Sequence, residues 1–160
     1  MRITTKPFGE IEIAEESIIE VKEGIIGFPR LTRYVILNSE GGGPFKWFQS
    51  VDRADLAFVV ISPYEFRPDY TLDVNKSDLD SIGLADPSKA VILSIVVIPD
   101  DPSLMTANLQ GPLVINPRTK QSKQMISNNP QYSVRHYIIQ EMQAWADSDK
   151  GEERGGNKLC

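Results

Sequence analysis

Cysteine and histidine are almost missing from this chain of 160 residues, and their scarcity excludes several kinds of site. The one cysteine is Cys160, so no disulfide can form within the chain, as is typical of proteins in a reducing compartment. The one histidine is His136, whereas a zinc site needs three or four Cys or His ligands. A Ser-His-Asp triad would also have to be built around this single residue. We therefore expect His136 to be a surface or capping residue, and we expect no metal and no cofactor.

Acidic pairs offer little more to catalysis. Asp100 and Asp101 stand between two prolines, where acids are usually turn residues rather than ligands of Mg²⁺ or Ca²⁺. Asp69 and Asp73 could face each other, but nothing in the sequence points to the apolar surroundings that a catalytic carboxyl group needs. The sequence therefore predicts a protein that is not an enzyme.

Long apolar runs are missing as well. The longest, residues 90–98 with Ser94 inside it, would cross only about half of a bilayer. The first six residues have no apolar stretch of the kind found in a secretory signal. We therefore expect a cytoplasmic protein that does not enter the membrane.

Basic residues are outnumbered by acidic ones, 17 to 22, which gives a formal net charge of −5. Residues 39–110 hold eleven acids and five bases, whereas residues 111–140 hold four bases and no acid. Proteins that bind nucleic acid usually present a basic face, so this charge argues against direct binding of DNA or RNA. A basic protein partner would complement the acidic segment.

What the chain does contain is a series of short segments rich in β-branched and aromatic residues, separated by Gly, Pro, Asn and Asp. They are residues 11–13, 18–22, 34–37, 46–51, 56–61, 70–74, 91–98, 113–116 and 123–127. Their spacing of roughly ten residues predicts a sheet closed into a barrel or folded into a sandwich. The breaks are too short for crossover helices. We therefore predict a mainly β fold, a small antiparallel β-barrel-like single domain with short helical connections.

Two of these segments, residues 56–61 and 91–98, do not alternate, which is typical of central strands covered on both faces. The predicted core residues are Leu56, Phe58, Val60, Val91, Leu93 and Ile95. A short helix is expected at residues 77–83, capped by Ser77 and ended by Gly83. Apolar residues at helical spacing predict a C-terminal helix over residues 137–147. Residues 1–147 would form the domain, and residues 148–160 a disordered tail.

Aromatic residues cluster beside the predicted central strands. Phe45, Trp47 and Phe48 cannot all point one way from a strand, so one face must be covered or await a partner. Pro63 and Pro68 make the segment between them a poor central strand, and we expect it to expose aromatic and acidic groups. Such groups compose the core and rim of a protein interface. The predicted partner-binding residues are Phe45, Trp47, Tyr64, Glu65, Phe66, Asp69 and Tyr70.

Two other functions remain open at this point. A barrel could hold a small ligand, or act as an enzyme, in a pocket near Trp47. A barrel of the OB type could instead stack single-stranded RNA on its aromatic residues, although the charge opposes this.

Seven segments in order resemble the FliW family of bacterial flagellar assembly factors. They are residues 24–28 (GIIGF), 44–50 (PFKWFQS), 55–60 (DLAFVV), 68–70 (PDY), 94–99 (SIVVIP), 105–109 (MTANL) and 111–116 (GPLVIN). The resemblance covers roughly residues 2–137. Local departures include Ile26, where the family often has Pro, and Phe48, where Leu is common.

The resemblance implies a β-barrel-like domain without catalytic activity that works by binding other proteins. Family members bind CsrA, a small dimeric RNA-binding regulator that represses flagellin translation, and they also bind flagellin. Flagellin awaiting export would occupy the factor, and the factor freed by export would capture CsrA allosterically, away from its RNA-binding surface. The resemblance thus implies relief of repression by partner switching, and we expect a monomer in the absence of partners.

Overall fold

The computed structural model describes the backbone of residues 1–159 and the side chains of residues 1–148. Within this part the chain forms eleven strands and two α-helices, with short 3-10 turns between them. In chain order the elements are β1 (Arg2–Thr5), β2 (Gly9–Glu12), β3 (Ile19–Val21), β4 (Arg33–Asn38), β5 (Phe45–Ser50), β6 (Ala57–Ile61), α1 (Lys76–Ser81), β7 (Val91–Val97), β8 (Thr106–Ala107), β9 (Leu113–Ile115), β10 (Gln121–Gln124), β11 (His136–Tyr137) and α2 (Ile138–Leu159).

Seven of the strands close into a barrel, as the sequence predicted. Strands β3 to β7 pair with their sequence neighbours as an antiparallel meander. β7 then pairs with β9, β9 with β10, and β10 with β3, which returns the sheet to its start. The β10–β3 pair is parallel, whereas the other pairs of the barrel are antiparallel.

Two additions accompany the barrel, one continuous with its sheet and one separate. β8 and β11 continue from the edge of β7 as a short antiparallel extension. β1 and β2 form a separate hairpin. The buried Gln49 of β5 ties this hairpin to the barrel, because its Oε1 accepts a hydrogen bond of 2.9 Å from the Lys6 backbone N–H.

The barrel core is built around an aromatic pair, Tyr34 and Phe48, whose fully buried rings stack with centroids 4.7 Å apart. The predicted core residues Val60 and Leu93 are buried here, and Leu56, Phe58 and Ile95 are partly buried and pack against the same cluster. The prediction for Val91 was wrong. Val91 shares a face of β7 with the buried Leu93, but it is the first residue of the strand and is 40% exposed.

Local details of the sequence reading also need correction. Residues 70–74 form no strand: the alternate residues Leu72 and Val74 pack onto neighbouring core clusters, but the backbone finds no ladder partner. α1 begins two residues earlier than predicted, with Asn75 rather than Ser77 at its N-cap, and the chain turns at Gly83 with a φ of 68°.

The C-terminal helix is present, and its backbone runs from Ile138 to Leu159. The predicted disordered tail is residues 148–160. The structure describes the side chain of Ser148 but not those of residues 149–160, and Cys160 lies outside the described residues. The division into a domain and a tail therefore stays a prediction. Among the described helices, none combines the length and the apolar character needed to cross a membrane.

Candidate functional site

Strand β5 presents two of the predicted partner-binding residues, Phe45 and Trp47, on one face. Side chains alternate along a strand, so these two point to one side while Phe48 points into the barrel core. Both are partly buried, and they line an apolar cavity of about 300 Å³. Val59, Ile98 and Met105 line the same cavity, which we call the Trp47 cavity.

The segment from Tyr64 to Tyr70 is less exposed than the sequence predicted. Phe66 has no exposed surface and Tyr70 is 4% exposed, because both pack into a core cluster that includes Ile138 of α2. The prediction that these two side chains are displayed to a partner was therefore wrong. The chain leaves the sheet after β6, as its prolines indicated, but the 3-10 turn Pro63–Glu65 folds the segment inward. Tyr64 and Glu65 remain exposed, and their contact with a partner stays a prediction.

Three tyrosines hold this segment against the loop before β11. The ring of Tyr70 stacks on Tyr132 with centroids 5.0 Å apart, and Tyr64 meets Tyr70 edge-on at 5.6 Å. The Tyr132 hydroxyl accepts a hydrogen bond of 3.0 Å from the Thr71 backbone N–H. Burial raises the pKa of Tyr70, so its phenol stays neutral well above physiological pH.

Arg67 joins the same segment to α2. Its guanidinium donates to Glu141 of α2 at 2.9 Å and to Asp69 at 3.1 Å, and it lies 5.5 Å from the ring centre of Tyr132. Burial lowers the pKa of Arg67, but the hydrogen bonds to the two carboxylates outweigh this and raise it. The charge of Asp69 is thus already paired within the chain, and its contact with a partner stays a prediction.

His136 takes part in this network. Its Nε2 accepts the Ser133 backbone N–H at 2.9 Å, so the ring proton lies on Nδ1, which faces Glu141 at 3.1 Å. His136 thereby fixes the turn into β11, much as a capping residue would. Within the described side chains, no three His, Cys, Asp or Glu residues come together in a way that could hold a metal ion.

Exposed acids lie near the Trp47 cavity. Phe45 pairs with Ile61 in the β5–β6 ladder, so the connection before β5 and the segment after β6 lie at one end of that ladder. These connections carry Glu40 and Glu65, both exposed. Glu65 forms no ion pair with the side chains that the structure describes. This end of the barrel therefore combines an apolar cavity, which Lys46 also lines, with two exposed acids.

A larger groove, of about 670 Å³, lies on the other face of the β7–β8 connection. Phe58 and Ile95 of the barrel core contribute to its apolar lining, together with Ile26, Val97, Leu104 and Val134. Arg135, Asn108 and Gln124 are among its polar residues. We call it the Ile26 groove. Sequence reasoning missed it because its residues come from distant segments. The one signal in the sequence was the apolar end of residues 91–98. The prediction of a central strand assigned these side chains to contacts within the protein.

A rigid turn presents Ile26 at the edge of this groove. Gly24 and Gly27 have positive φ angles, and the Phe28 N–H donates to the Ile25 carbonyl at 2.7 Å. The Ile26 N–H donates to Oε1 of Gln124 at 2.9 Å, which fixes the turn to β10. Ile25 is buried beneath it, whereas Ile26 is 72% exposed.

Comparison with known proteins identifies the family. A family model described as FliW protein matches residues 2–138. The flagellar assembly factor FliW of Treponema denticola is 42% identical over 144 residues, which cover 90% of this chain and 97% of the relative. The factor of the same name from Ruminiclostridium cellulolyticum is 38% identical over 144 residues, covering 89% and 97%. A crystal structure of the flagellar assembly factor FliW matches with a TM-score of 0.81 at 34% identity, covering 87% of this chain and 97% of that one. These relatives are named as assembly factors and not as enzymes, and the chain belongs to the FliW family of flagellar assembly factors.

Proposed function

We propose that this chain is a non-catalytic binding protein that captures the translational regulator CsrA and so relieves repression of flagellin translation. Flagellin is the alternative partner, and export of flagellin frees the factor for CsrA. The capture is allosteric, at a surface of CsrA away from its RNA-binding face. The protein acts in the cytoplasm, without a cofactor and without binding nucleic acid itself, and it is a monomer between partners.

The observation that carries this proposal is the Trp47 cavity with exposed acids at the same end of the barrel. Phe45 and Trp47 offer an apolar patch, and aromatic side chains are common anchors of protein interfaces. Glu40 and Glu65 add negative charge that would attract a basic protein and repel RNA. A regulator that binds RNA must itself be basic, so the two surfaces are complementary.

Size-exclusion chromatography of the protein with CsrA, with and without flagellin, tests the switch. We expect a complex with CsrA that flagellin disrupts. Glu65→Lys should weaken CsrA binding, and Glu10→Lys is its matched control, because Glu10 is exposed on β2 and the two changes alter the net charge equally. Equal binding by both variants would show that the acids near the Trp47 cavity do not face CsrA.

The apolar residues are tested in the same way. Trp47→Ala should weaken CsrA binding more than Trp145→Ala does, since Trp145 lies on α2 and does not line the Trp47 cavity. If both variants bind CsrA as well as the unmodified protein does, the interface lies elsewhere. Failure of the unmodified protein to bind CsrA or flagellin at all would refute the proposed function.

A small-ligand carrier is the second candidate, and the Trp47 cavity itself favours it. Its volume of about 300 Å³ is at the lower end of typical ligand sites, and Lys46 is the one charged residue that lines it. Titration of Trp47 fluorescence with fatty acids would test this function. Saturable quenching that Phe45→Ala weakens would support a carrier, because Phe45 lines the same cavity and Trp47 remains as the reporter.

A further inference from the structure

The Ile26 groove and the Trp47 cavity are separate sites. Alternate residues of one hairpin line the two sites: Val97, Leu104 and Thr106 face the groove, whereas Ile98 and Met105 face the cavity. No residue lines both. A molecule in the groove would therefore leave the Trp47 cavity open.

The charged side chain inside the groove is positive. Arg135 is the one charged residue among those that line it, it is exposed, and it forms no ion pair with the side chains that the structure describes. Asp100 and Asp101 lie on the nearby β7–β8 connection but do not line the groove, and Asp101 accepts hydrogen bonds from Ser103. An occupant that places a carboxylate at Arg135 would pair with it.

The walls of the groove favour a helix over an extended peptide. β6, β7 and β10 contribute residues to the groove, and each of these strands already has partners on both edges. Only the two-residue β11 could accept a further strand. An extended segment would thus leave most of its backbone N–H and C=O groups without partners in an apolar groove, whereas a helix satisfies its own.

Exposed aliphatic side chains complete the fit. Ile26 is 72% exposed on its rigid turn, and Val97 is 63% exposed at the end of β7. Leu104 and Val134 are also exposed and line the groove. Four such side chains around one concave surface form a contiguous apolar surface of the kind that marks an interaction site.

We propose that the Ile26 groove is a second docking site, which takes an amphipathic helix of a partner protein that places an acidic residue against Arg135. The helix lays its apolar face on Ile26, Val97 and Leu104. This site is additional to the surface proposed for CsrA, and its occupancy does not depend on that surface.

The test uses the full chain and two fluorescein-labelled helical peptides of about four turns. Both carry a leucine stripe, and they differ in one residue beside it, Glu or Lys. In fluorescence anisotropy we expect the Glu peptide to bind about three- to fivefold more tightly, as an exposed ion pair allows. Arg135→Glu should reverse this preference, which a purely structural role of Arg135 would not produce.

A matched pair of variants tests the apolar contact. Ile26→Asp should weaken binding of the Glu peptide about tenfold or more, whereas Ile126→Asp should change it less than about twofold. Ile126 is 54% exposed and does not line the groove. Circular dichroism confirms that both variants are folded.

Four results would overturn this inference. Three of them are that neither peptide binds, that Arg135→Glu leaves the preference unchanged, and that the two aspartate variants bind the Glu peptide equally well. The fourth is a dimer in sedimentation analysis that Ile26→Asp dissociates, since a second copy of the chain would then fill the groove. The CsrA and flagellin experiments are separate, so this site can fail while the proposed function holds, and the reverse.

Discussion

Replacement of Phe66 by alanine distinguishes a core residue from a partner-facing one. Phe66 has no exposed surface and packs with Tyr70 and Ile138, so its truncation leaves a cavity in the second core cluster. Truncations of buried phenylalanines cost about 3–5 kcal/mol, against a total stability on the order of 5–15 kcal/mol for a domain. With a urea m-value of about 2 kcal/mol/M, the unfolding midpoint should fall by roughly 1.5–2.5 M.

Tyr64→Ala is the control for this change, because Tyr64 lies two positions away and is 47% exposed. Its loss removes one edge-on contact with Tyr70, worth about 0.5–1 kcal/mol, so the midpoint should fall by about 0.5 M or less. Urea unfolding followed by circular dichroism measures both values. Equal shifts, or the larger shift in Tyr64→Ala, would refute the assignment of Phe66 to the core.

Three further changes test other parts of the structure. Gly24→Ala should lower the free energy of unfolding by about 2 kcal/mol or more, because a Cβ there would overlap neighbouring backbone. Gly27→Ala has open space around its Cβ and should lower it by about 1 kcal/mol. Equal losses in urea unfolding would contradict the close packing at Gly24. Burial raises the pKa of Tyr34 from 10.0 to about 12, so its contribution to stability is complete below pH 10 and is lost as the pH rises towards 12. In Tyr34→Phe, the loss of unfolding free energy between pH 10 and 12 should be smaller by up to about 3 kcal/mol. An unchanged pH profile would show that the Tyr34 phenol ionises without destabilising the fold. Glu141→Gln should weaken the link between α2 and Arg67 by about 1–2 kcal/mol, visible as faster amide exchange in the first turns of α2; exchange as slow as in the unmodified protein would mean that apolar packing alone holds the helix.

The barrel could be predicted because its longer strands carry their own signals. The segments that became β4 to β7 are rich in β-branched and aromatic residues and are bounded by turn residues. Residues 70–74 show the limit of that reasoning, since alternate side chains there pack on the core without a paired backbone. The parallel contact between β3 and β10 has no local signal at all, because two short segments far apart in the sequence make it.

The two concave surfaces could be predicted only in part. The shared face of Phe45 and Trp47 follows from their alternate positions on one strand, whereas their contact with a partner stays a prediction. Phe66 was misplaced because prolines show that a segment leaves the sheet but not that it folds back onto the core. The Ile26 groove joins side chains from the first turn of the barrel, the end of β7 and the loop before β11, and only the closed fold brings these together.

The parallel pairing that closes the barrel also bears on how the chain folds. Gln121 and Ser122 meet Glu20 and Val21, partners about one hundred residues apart, and closing a loop of that length costs roughly 4 kcal/mol of chain entropy. The local hairpins of β3 to β6 can form before this contact, so ring closure should be a late and slow step. Until β10 has been synthesised, β3 has an unpaired edge, and unpaired edges readily recruit strands of other chains. Aggregation during synthesis should therefore be most frequent in chains that end between β3 and β10.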